Sequence, residues 1–157
     1  MSSPAHAPLA QLLRPEAIKL ELTAKTKNAA LREVAELLLP RQCIANFDTF
    51  YREILDRERI SNTALGHDVA IPHARTEQCT EILIAVGRST AGLEFAPTED
   101  GRVRLIFLIG TPKHMVTDYL HLVGNLARLL RRDDLRERLL TAPDPAEFIR
   151  LVAAAEA

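Results

Sequence analysis

Aromatic residues, paired cysteines and long apolar runs are scarce or missing in this sequence. Aromatics make up 4% of the 157 residues and tryptophan is absent, which argues against a platform on which bases or sugars stack. Cys43 and Cys79 form no CxxC pair, which excludes a disulfide scaffold or a zinc ribbon. No apolar run reaches the ~18 residues of a membrane span, and no charged-then-apolar leader opens the chain.

An excess of charge of either sign is also missing. The 20 Lys and Arg residues nearly balance the 21 Asp and Glu residues, the formal net charge is −1, and no basic run occurs. We therefore expect no nucleic-acid partner. With 47% hydrophobic and 26% charged residues, the composition is that of an ordinary globular protein. We expect a cytoplasmic protein with a flexible N-terminus over residues 1–8 and one domain over residues 9–157.

The hydrophobic pattern predicts helices and strands mixed along the chain. Strands are expected over 18–22, 82–86 and 103–109, and a turn at Glu99–Gly101. Helices are expected over 9–13, after the caps Thr26, Asn46, Thr117 and Asp144, and over 133–139. The 103–109 strand is apolar at nearly every position, which is typical of a central strand buried on both faces. Together these elements predict a single layered α/β domain.

His73 occupies the most unusual position among the five histidines. It follows the short apolar stretch Val69–Ile71 and then Pro72, whose fixed φ and missing N–H end sheet pairing. This context predicts an imidazole held on a stiff backbone at the edge of the sheet, exposed rather than buried.

Basic and hydroxyl residues flank this histidine in the sequence. Arg57 and Thr63 precede it, and Arg75 follows it. A neutral imidazole surrounded by guanidinium groups and a hydroxyl suits an anion, most naturally a phosphoryl group. Nearby cations would also lower the pKa of His73 and keep it nucleophilic. The simpler interpretation is an ordinary turn histidine beside solvated arginines.

The segment RERISNTALGHDVAIPH, from Arg57 to His73, resembles the active-site segment of enzyme IIA domains of the bacterial phosphoenolpyruvate-dependent sugar phosphotransferase system. The class is the fructose, mannitol and nitrogen-regulatory one. Its hallmark is Arg-Glu, a Thr, a Gly and then Ala-Ile-Pro-His, and the similarity extends over nearly the whole chain. The resemblance implies a mixed β-sheet flanked by α-helices, with no metal and no small-molecule cofactor.

By this resemblance, His73 accepts phosphate from a phosphohistidine carrier of the HPr type. Arg57 would neutralise the phosphoryl group, and Thr63 would hydrogen-bond near it. Apart from the resemblance, we expect Arg75, which follows His73 closely in the sequence, to help Arg57 spread the charge. In relatives that serve transport, the group passes to a cysteine or histidine of a IIB domain and then to sugar. In the nitrogen-regulatory branch, phosphorylation instead tunes binding to partner proteins. The alternative function is therefore a regulatory module that binds a transporter, channel or kinase and passes phosphate to nothing.

The sequence departs from the family pattern at Tyr119. Family members usually carry a second histidine at the start of the later helix, and the apolar register places Tyr119 in that position. His121 lies about 200° further around the helix, and aligning it there instead spoils the register. A phenol can donate a hydrogen bond to a phosphoryl oxygen but does not become cationic. We therefore expect acceptance at His73 and inefficient onward transfer.

Two further expectations concern the surroundings of His73. His67, His114 and His121 lack the spacing of a metal site, so no metal is expected. A carrier that binds two proteins needs an exposed apolar surface around its histidine. Ile60, Leu65 and Ile71 are candidates for that surface and are equally compatible with the core.

Overall fold

A computed structural model describes residues 7–96 and 101–157. Residues 1–6 of the predicted flexible N-terminus, and residues 99 and 100 of the predicted turn, lie outside this range. The helices that it describes are α1 (Leu9–Leu12), α2 (Lys27–Glu36), α3 (Phe47–Ile60), α4 (Val116–Leu129), α5 (Asp133–Thr141) and α6 (Pro145–Glu156). The strands are β1 (Ile18–Lys19), β2 (Ala64–Gly66), β3 (Val69–Ala70), β4 (His73–Thr76), β5 (Leu83–Glu94) and β6 (Arg102–Pro112). Short 3₁₀ helices span Pro15–Ala17 and Leu39–Arg41.

All six strands form one mixed sheet in the order β1-β5-β6-β3-β2, with β4 also paired to β6. β5 runs antiparallel to β6, whereas β3 and β4 both run parallel to it. β3 and β4 therefore follow each other along one side of β6, separated by Ile71 and Pro72. Pro72 has no N–H to donate, but its carbonyl accepts a hydrogen bond from Ile109 at 2.9 Å. Pairing with β6 resumes at His73, and the predicted fold class is confirmed.

The central strand β6 divides the core into two layers. Leu105, Phe107 and Ile109 pack on one face with α1, α4, α5 and α6. Ile106 and Leu108 pack on the other face with α2 and α3. All five side chains are buried, as the apolar run predicted. Over the described residues, no helix combines the length and apolar character needed to cross a membrane.

Three helices begin at the caps that the sequence predicts. The side chains of Thr26, Asn46 and Asp144 accept backbone N–H groups three residues onward, at 3.4, 3.0 and 2.8 Å. Such bonds satisfy N–H groups that the first turn of a helix leaves without partners. The predicted cap Thr117 is wrong, because α4 already begins at Val116 and its preceding residue makes no side-chain cap.

All three predicted strands have different bounds in the structure, and β6 itself spans Arg102–Pro112 instead of 103–109. The 18–22 strand pairs with β5 only at Ile18–Lys19, and further on a single bond joins the Leu22 N–H to the Arg88 carbonyl at 2.8 Å. β5 continues to Glu94, well beyond residue 86, because the long partner β6 pairs with it again at Leu93 after an irregular register. That pairing is a tertiary effect which the local pattern does not contain.

Gly110 of β6 marks a close approach of α3 to the sheet. A Cβ atom there would lie 2.7 Å from the Phe50 ring and 3.0 Å from the Cys79 sulfur. We expect Gly110→Ala to lower the free energy of unfolding by about 1–3 kcal/mol through overpacking. The matched control is Gly124→Ala in α4, where an added Cβ meets nothing within 4 Å. That change should raise the free energy by up to about 1 kcal/mol through helix propensity. Denaturant unfolding measures the free energy of unfolding of both variants. If the two substitutions changed it in the same direction, the close contact at Gly110 would be contradicted.

Candidate functional site

An open hollow of about 600 Å³ lies at the start of β4, between the C-terminal half of α3 and the first turns of α4. Its lining comprises Glu53, Asp56, Arg57, Arg75 and Lys113, the rings of His73 and Tyr119, and the apolar residues Ile60, Ala74, Val116 and Leu120. The structure therefore brings together four of the five predicted site residues: His73, Arg57, Arg75 and Tyr119.

His73 is much more buried than the sequence predicted. Only 8% of the residue is exposed, because β4 resumes pairing with β6 at this position and Tyr119 covers the ring. The two ring centroids lie 5.4 Å apart, with the planes tilted by 51°. The expectation of an uncovered imidazole is therefore wrong. His73 nevertheless borders the hollow, so a reactant can approach it from that side.

One hydrogen bond determines which ring nitrogen of His73 carries the proton. Nδ1 lies 2.8 Å from the carbonyl oxygen of Ile71, two residues earlier in the chain. A carbonyl oxygen can only accept, so Nδ1 carries the proton and donates it. The lone pair of the neutral imidazole is then on Nε2.

Burial keeps this imidazole in its neutral form. Desolvation has the largest influence on the pKa of His73 and lowers it below 6.5, while the hydrogen bond to Ile71 opposes this effect. The positive charge of Arg57 also lowers the pKa, and the negative charge of Glu58 raises it. The sequence predicted the downward direction but assigned it to the cations, whereas burial is the main cause.

Two arginines approach the hollow from different elements. Arg57 lies on the last turns of α3, where its Nη1 donates to the carbonyl oxygen of Ser61 at 3.1 Å. Arg75 lies on β4, and its guanidinium carbon is 5.8 Å from the centroid of the Tyr119 ring. Tyr119 therefore contacts both His73 and Arg75, and its position agrees with the alignment that the helix register favoured.

Three cations outnumber the two carboxylates that border the hollow. Lys113, at the end of β6, adds to the charge of the two arginines. Each carboxylate already has a partner outside the lining, since Glu53 accepts from the Thr76 hydroxyl at 2.7 Å and Asp56 pairs with Arg59 at 3.3 Å. The hollow is consequently suited to an anion.

Thr63 occupies a different place from the one predicted. Its backbone N–H and its hydroxyl both donate to Glu58, each at 2.9 Å, and Thr63 is not part of the lining of the hollow. Because its one hydroxyl proton is used there, this geometry does not support the predicted bond to a phosphoryl group. Glu58 also pairs with Lys27 at 3.1 Å, and the cluster fixes the end of α3 beside Arg57. No pattern in the sequence indicates Lys27, which is distant from Glu58 along the chain.

Exposed apolar side chains surround the hollow. Ile60 is 81% exposed, Leu120 is 62% exposed and Val116 is 42% exposed, and all three belong to its lining. Leu65 is 45% exposed, whereas Ile71 is buried in the core. Val116 and Leu120 were not predicted as part of this surface, although they lie four residues apart and therefore on one face of α4.

His67, His114 and His121 are not part of the lining of the hollow. His114 is exposed in the turn after β6, and His121 borders a separate cavity on the far side of α4. Within residues 7–96 and 101–157, no group of three or more His, Cys, Asp or Glu side chains is arranged to hold a metal ion.

Comparisons with known proteins identify the family of this chain. Residues 11–155 match the family model of the phosphoenolpyruvate-dependent sugar phosphotransferase system, EIIA 2. The fructose-specific EIIA component of Haloferax volcanii is 32% identical over 127 residues, which cover 81% of this chain and 82% of that protein. The fructose-specific EIIABC component of Bacillus subtilis is 28% identical over 144 residues, or 92% of this chain and 23% of that protein.

A solved structure shows the same architecture. The crystal structure of nitrogen regulatory protein IIA-Ntr from Neisseria meningitidis superimposes with a TM-score of 0.85 at 26% sequence identity. The match covers 93% of this chain and 99% of that one. The chain therefore belongs to the EIIA 2 family of the phosphotransferase system.

Proposed function

We propose that this protein is a phosphocarrier that accepts a phosphoryl group on His73 from an HPr-type phosphohistidine protein. The observation that carries the proposal is the buried, neutral imidazole, which has Nδ1 bonded to the Ile71 carbonyl and lies beside a hollow lined by three cations. A neutral nucleophile with a free lone pair, facing excess positive charge, meets the main requirements of phosphoryl transfer.

The transfer step uses the lone pair of Nε2. That nitrogen attacks the phosphorus of the donor phosphohistidine, a new N–P bond forms, and the N–P bond of the donor breaks in line. The electron pair of the broken bond returns to the donor imidazole. The proton on Nδ1 of His73 stays in place, so the phosphorylated ring carries a positive charge next to the Ile71 carbonyl, 2.8 Å away in the free protein.

The side chains that line the hollow contribute to the proposed transfer in different ways. Arg57 and Arg75 approach from α3 and β4 and spread the charge of the equatorial phosphoryl oxygens. Lys113 adds a third positive charge at the mouth of the hollow. The Tyr119 hydroxyl donates a hydrogen bond to the phosphoryl group, since its ring lies against His73.

The carrier meets its protein partners through the apolar surface around the hollow. Ile60, Val116 and Leu120 expose aliphatic groups beside His73, as a contact surface used by a donor and a receiver in turn requires. A IIB component as receiver is supported by the Bacillus subtilis relative, whose name joins A, B and C parts in one protein.

Tyr119 favours a second function, in which phosphorylation is a signal rather than a step in transport. The phenol cannot become cationic at neutral pH, so it stabilises the transferring group less than a protonated imidazole would. A phosphoryl group held for longer at His73 carries roughly two negative charges, one of which the charged ring balances, so the surface around the hollow gains about one net negative charge. The partner would then be a regulated protein, such as a membrane transporter, that distinguishes the two charge states.

Incubation of the full chain with phosphoenolpyruvate, enzyme I and HPr tests acceptance at His73. We expect one acid-labile phosphate per chain, detected by intact mass, and its complete loss in His73→Ala. His114→Ala is the matched control, because His114 is an exposed histidine outside the hollow and should label like the native chain. Label that persists in His73→Ala, or that disappears in His114→Ala, would contradict the assignment.

Replacing Tyr119 by histidine tests whether the phenol limits onward transfer. We expect Tyr119→His to raise the rate of phosphate transfer to a fructose-class IIB domain by roughly tenfold or more, because imidazolium stabilises the moving group. Tyr51→His is the control, since the Tyr51 hydroxyl donates to the Asn28 carbonyl at 2.9 Å and does not line the hollow. Stopped-flow phosphotransfer measures the rates. An unchanged or lower rate in Tyr119→His would contradict this role.

A further inference from the structure

Glu58 is a buried carboxylate near the end of α3, next in the chain to Arg57. Only 5% of the residue is exposed. Its Oε1 accepts the Thr63 backbone N–H at 2.9 Å and lies 3.1 Å from the Lys27 ammonium, and its Oε2 accepts the Thr63 hydroxyl at 2.9 Å. A buried ion pair gives little net stability, because desolvation offsets the attraction. The directional bonds of Glu58 do, however, fix the position of Thr63.

The segment that contains Thr63 lies at an edge of the sheet, where few strands support it. It comes directly before β2, the edge strand, which pairs with β3. The register of that short pairing shifts between Ala64 and Gly66. The bonds to Glu58 therefore hold this edge of the sheet against α3.

The Thr63 carbonyl in turn fixes the residue that bonds to the His73 ring. It accepts the Ile71 N–H at 3.1 Å, and the Ile71 carbonyl oxygen lies 2.8 Å from Nδ1 of His73. The peptide unit between Ile71 and Pro72 has no N–H of its own, since proline lacks one. Two flanking bonds therefore set the direction of its carbonyl. One is the bond to Thr63, and the other runs from the Ile109 N–H to the Pro72 carbonyl at 2.9 Å.

We propose that Glu58 is a positioning residue that keeps the proton of His73 on Nδ1 for phosphate acceptance. It acts through the backbones of Thr63 and Ile71, which direct the Ile71 carbonyl at the ring. The lone pair then stays on Nε2, on the side of the ring that reacts. Thr63 contributes through its bonds to Glu58 and Ile71 and does not touch the phosphoryl group. This role rests on the proposed function, but the position of the ring proton can be measured without any transfer.

A second carboxylate in the chain has the same kinds of partner and provides a matched control. Glu33 accepts the backbone N–H and the hydroxyl of Thr23, at 3.0 and 3.1 Å, and pairs with Lys19 at 2.7 Å. Lys19 belongs to β1, which lies on the far side of β5 and β6 from β4. Replacing Glu33 therefore removes the same kinds of bond far from His73.

Imidazole nitrogen chemical shifts of the unphosphorylated, nitrogen-labelled full chain show which nitrogen of His73 carries the proton. We expect Nδ1–H to dominate in the native chain and in Glu33→Met. Methionine matches the length of glutamate but is only a weak acceptor. In Glu58→Met the fraction with the proton on Nε2 should rise by about fivefold or more. Phosphate acceptance from phosphorylated HPr should slow by about fivefold or more, because the ring loses its tautomer and its orientation.

Glu58→Gln separates hydrogen bonding from charge. Its amide oxygen can still accept the Thr63 N–H, and its NH₂ group can donate to the hydroxyl oxygen. We therefore expect the native tautomer and a near-native rate of acceptance. The proposal is overturned by a native tautomer in Glu58→Met, by an equal change in Glu33→Met, or by a loss in Glu58→Gln as large as that in Glu58→Met.

Thr63→Val keeps the proposal testable if Glu58→Met does not fold, because it removes only one hydroxyl group. We expect a smaller rise in the Nε2–H fraction and a parallel fall in the rate of acceptance. A lower rate with the native tautomer would instead place the Thr63 hydroxyl on the phosphoryl group and overturn the proposal. If the tautomer changes as expected but the native chain accepts no phosphate, the proposed function fails and the positioning of the ring by Glu58 is still supported.

Discussion

The hydrogen bond between Nδ1 of His73 and the carbonyl of Ile71 is the contact on which the proposed phosphoryl transfer depends. The Pro72 carbonyl accepts from Ile109 of β6, whereas the backbone groups of Ile71 face the other way: its N–H donates to the Thr63 carbonyl at 3.1 Å and its carbonyl accepts from the His73 ring. The bond determines which nitrogen holds the proton. A ring free to change tautomer would present its lone pair to the hollow for only part of the time.

Burial and charge act at different places in this site. Desolvation favours the neutral imidazole, and the three cations lie along the hollow beside the ring. In the proposed transfer, the negative phosphoryl group compensates the positive charge that forms on the ring, so burial does not oppose that charge alone. The close contact with Tyr119 links this change to α4, which also contributes Val116 and Leu120 to the exposed apolar surface.

The sequence predicted the features of the fold that depend on neighbouring residues along the chain. The central strand β6 followed from its continuous apolar run, and the caps Thr26, Asn46 and Asp144 followed from their side-chain oxygens. The family motif indicated His73, and the helix register indicated the position of Tyr119. The burial of His73 and the bonding of Thr63 to Glu58 did not follow, because both depend on how β4 and α3 meet in three dimensions. Long-range partners of this kind leave no periodic trace in the sequence.

The most direct test of this mechanism is to determine which ring nitrogen of His73 carries the phosphoryl group. It can be measured on the phosphorylated full chain with nitrogen-labelled histidine, from imidazole nitrogen chemical shifts and their coupling to phosphorus. We predict phosphorus on Nε2 and a retained proton on Nδ1. Phosphorus bonded to Nδ1 would mean that the Ile71 carbonyl does not hold that position, and it would contradict the mechanism.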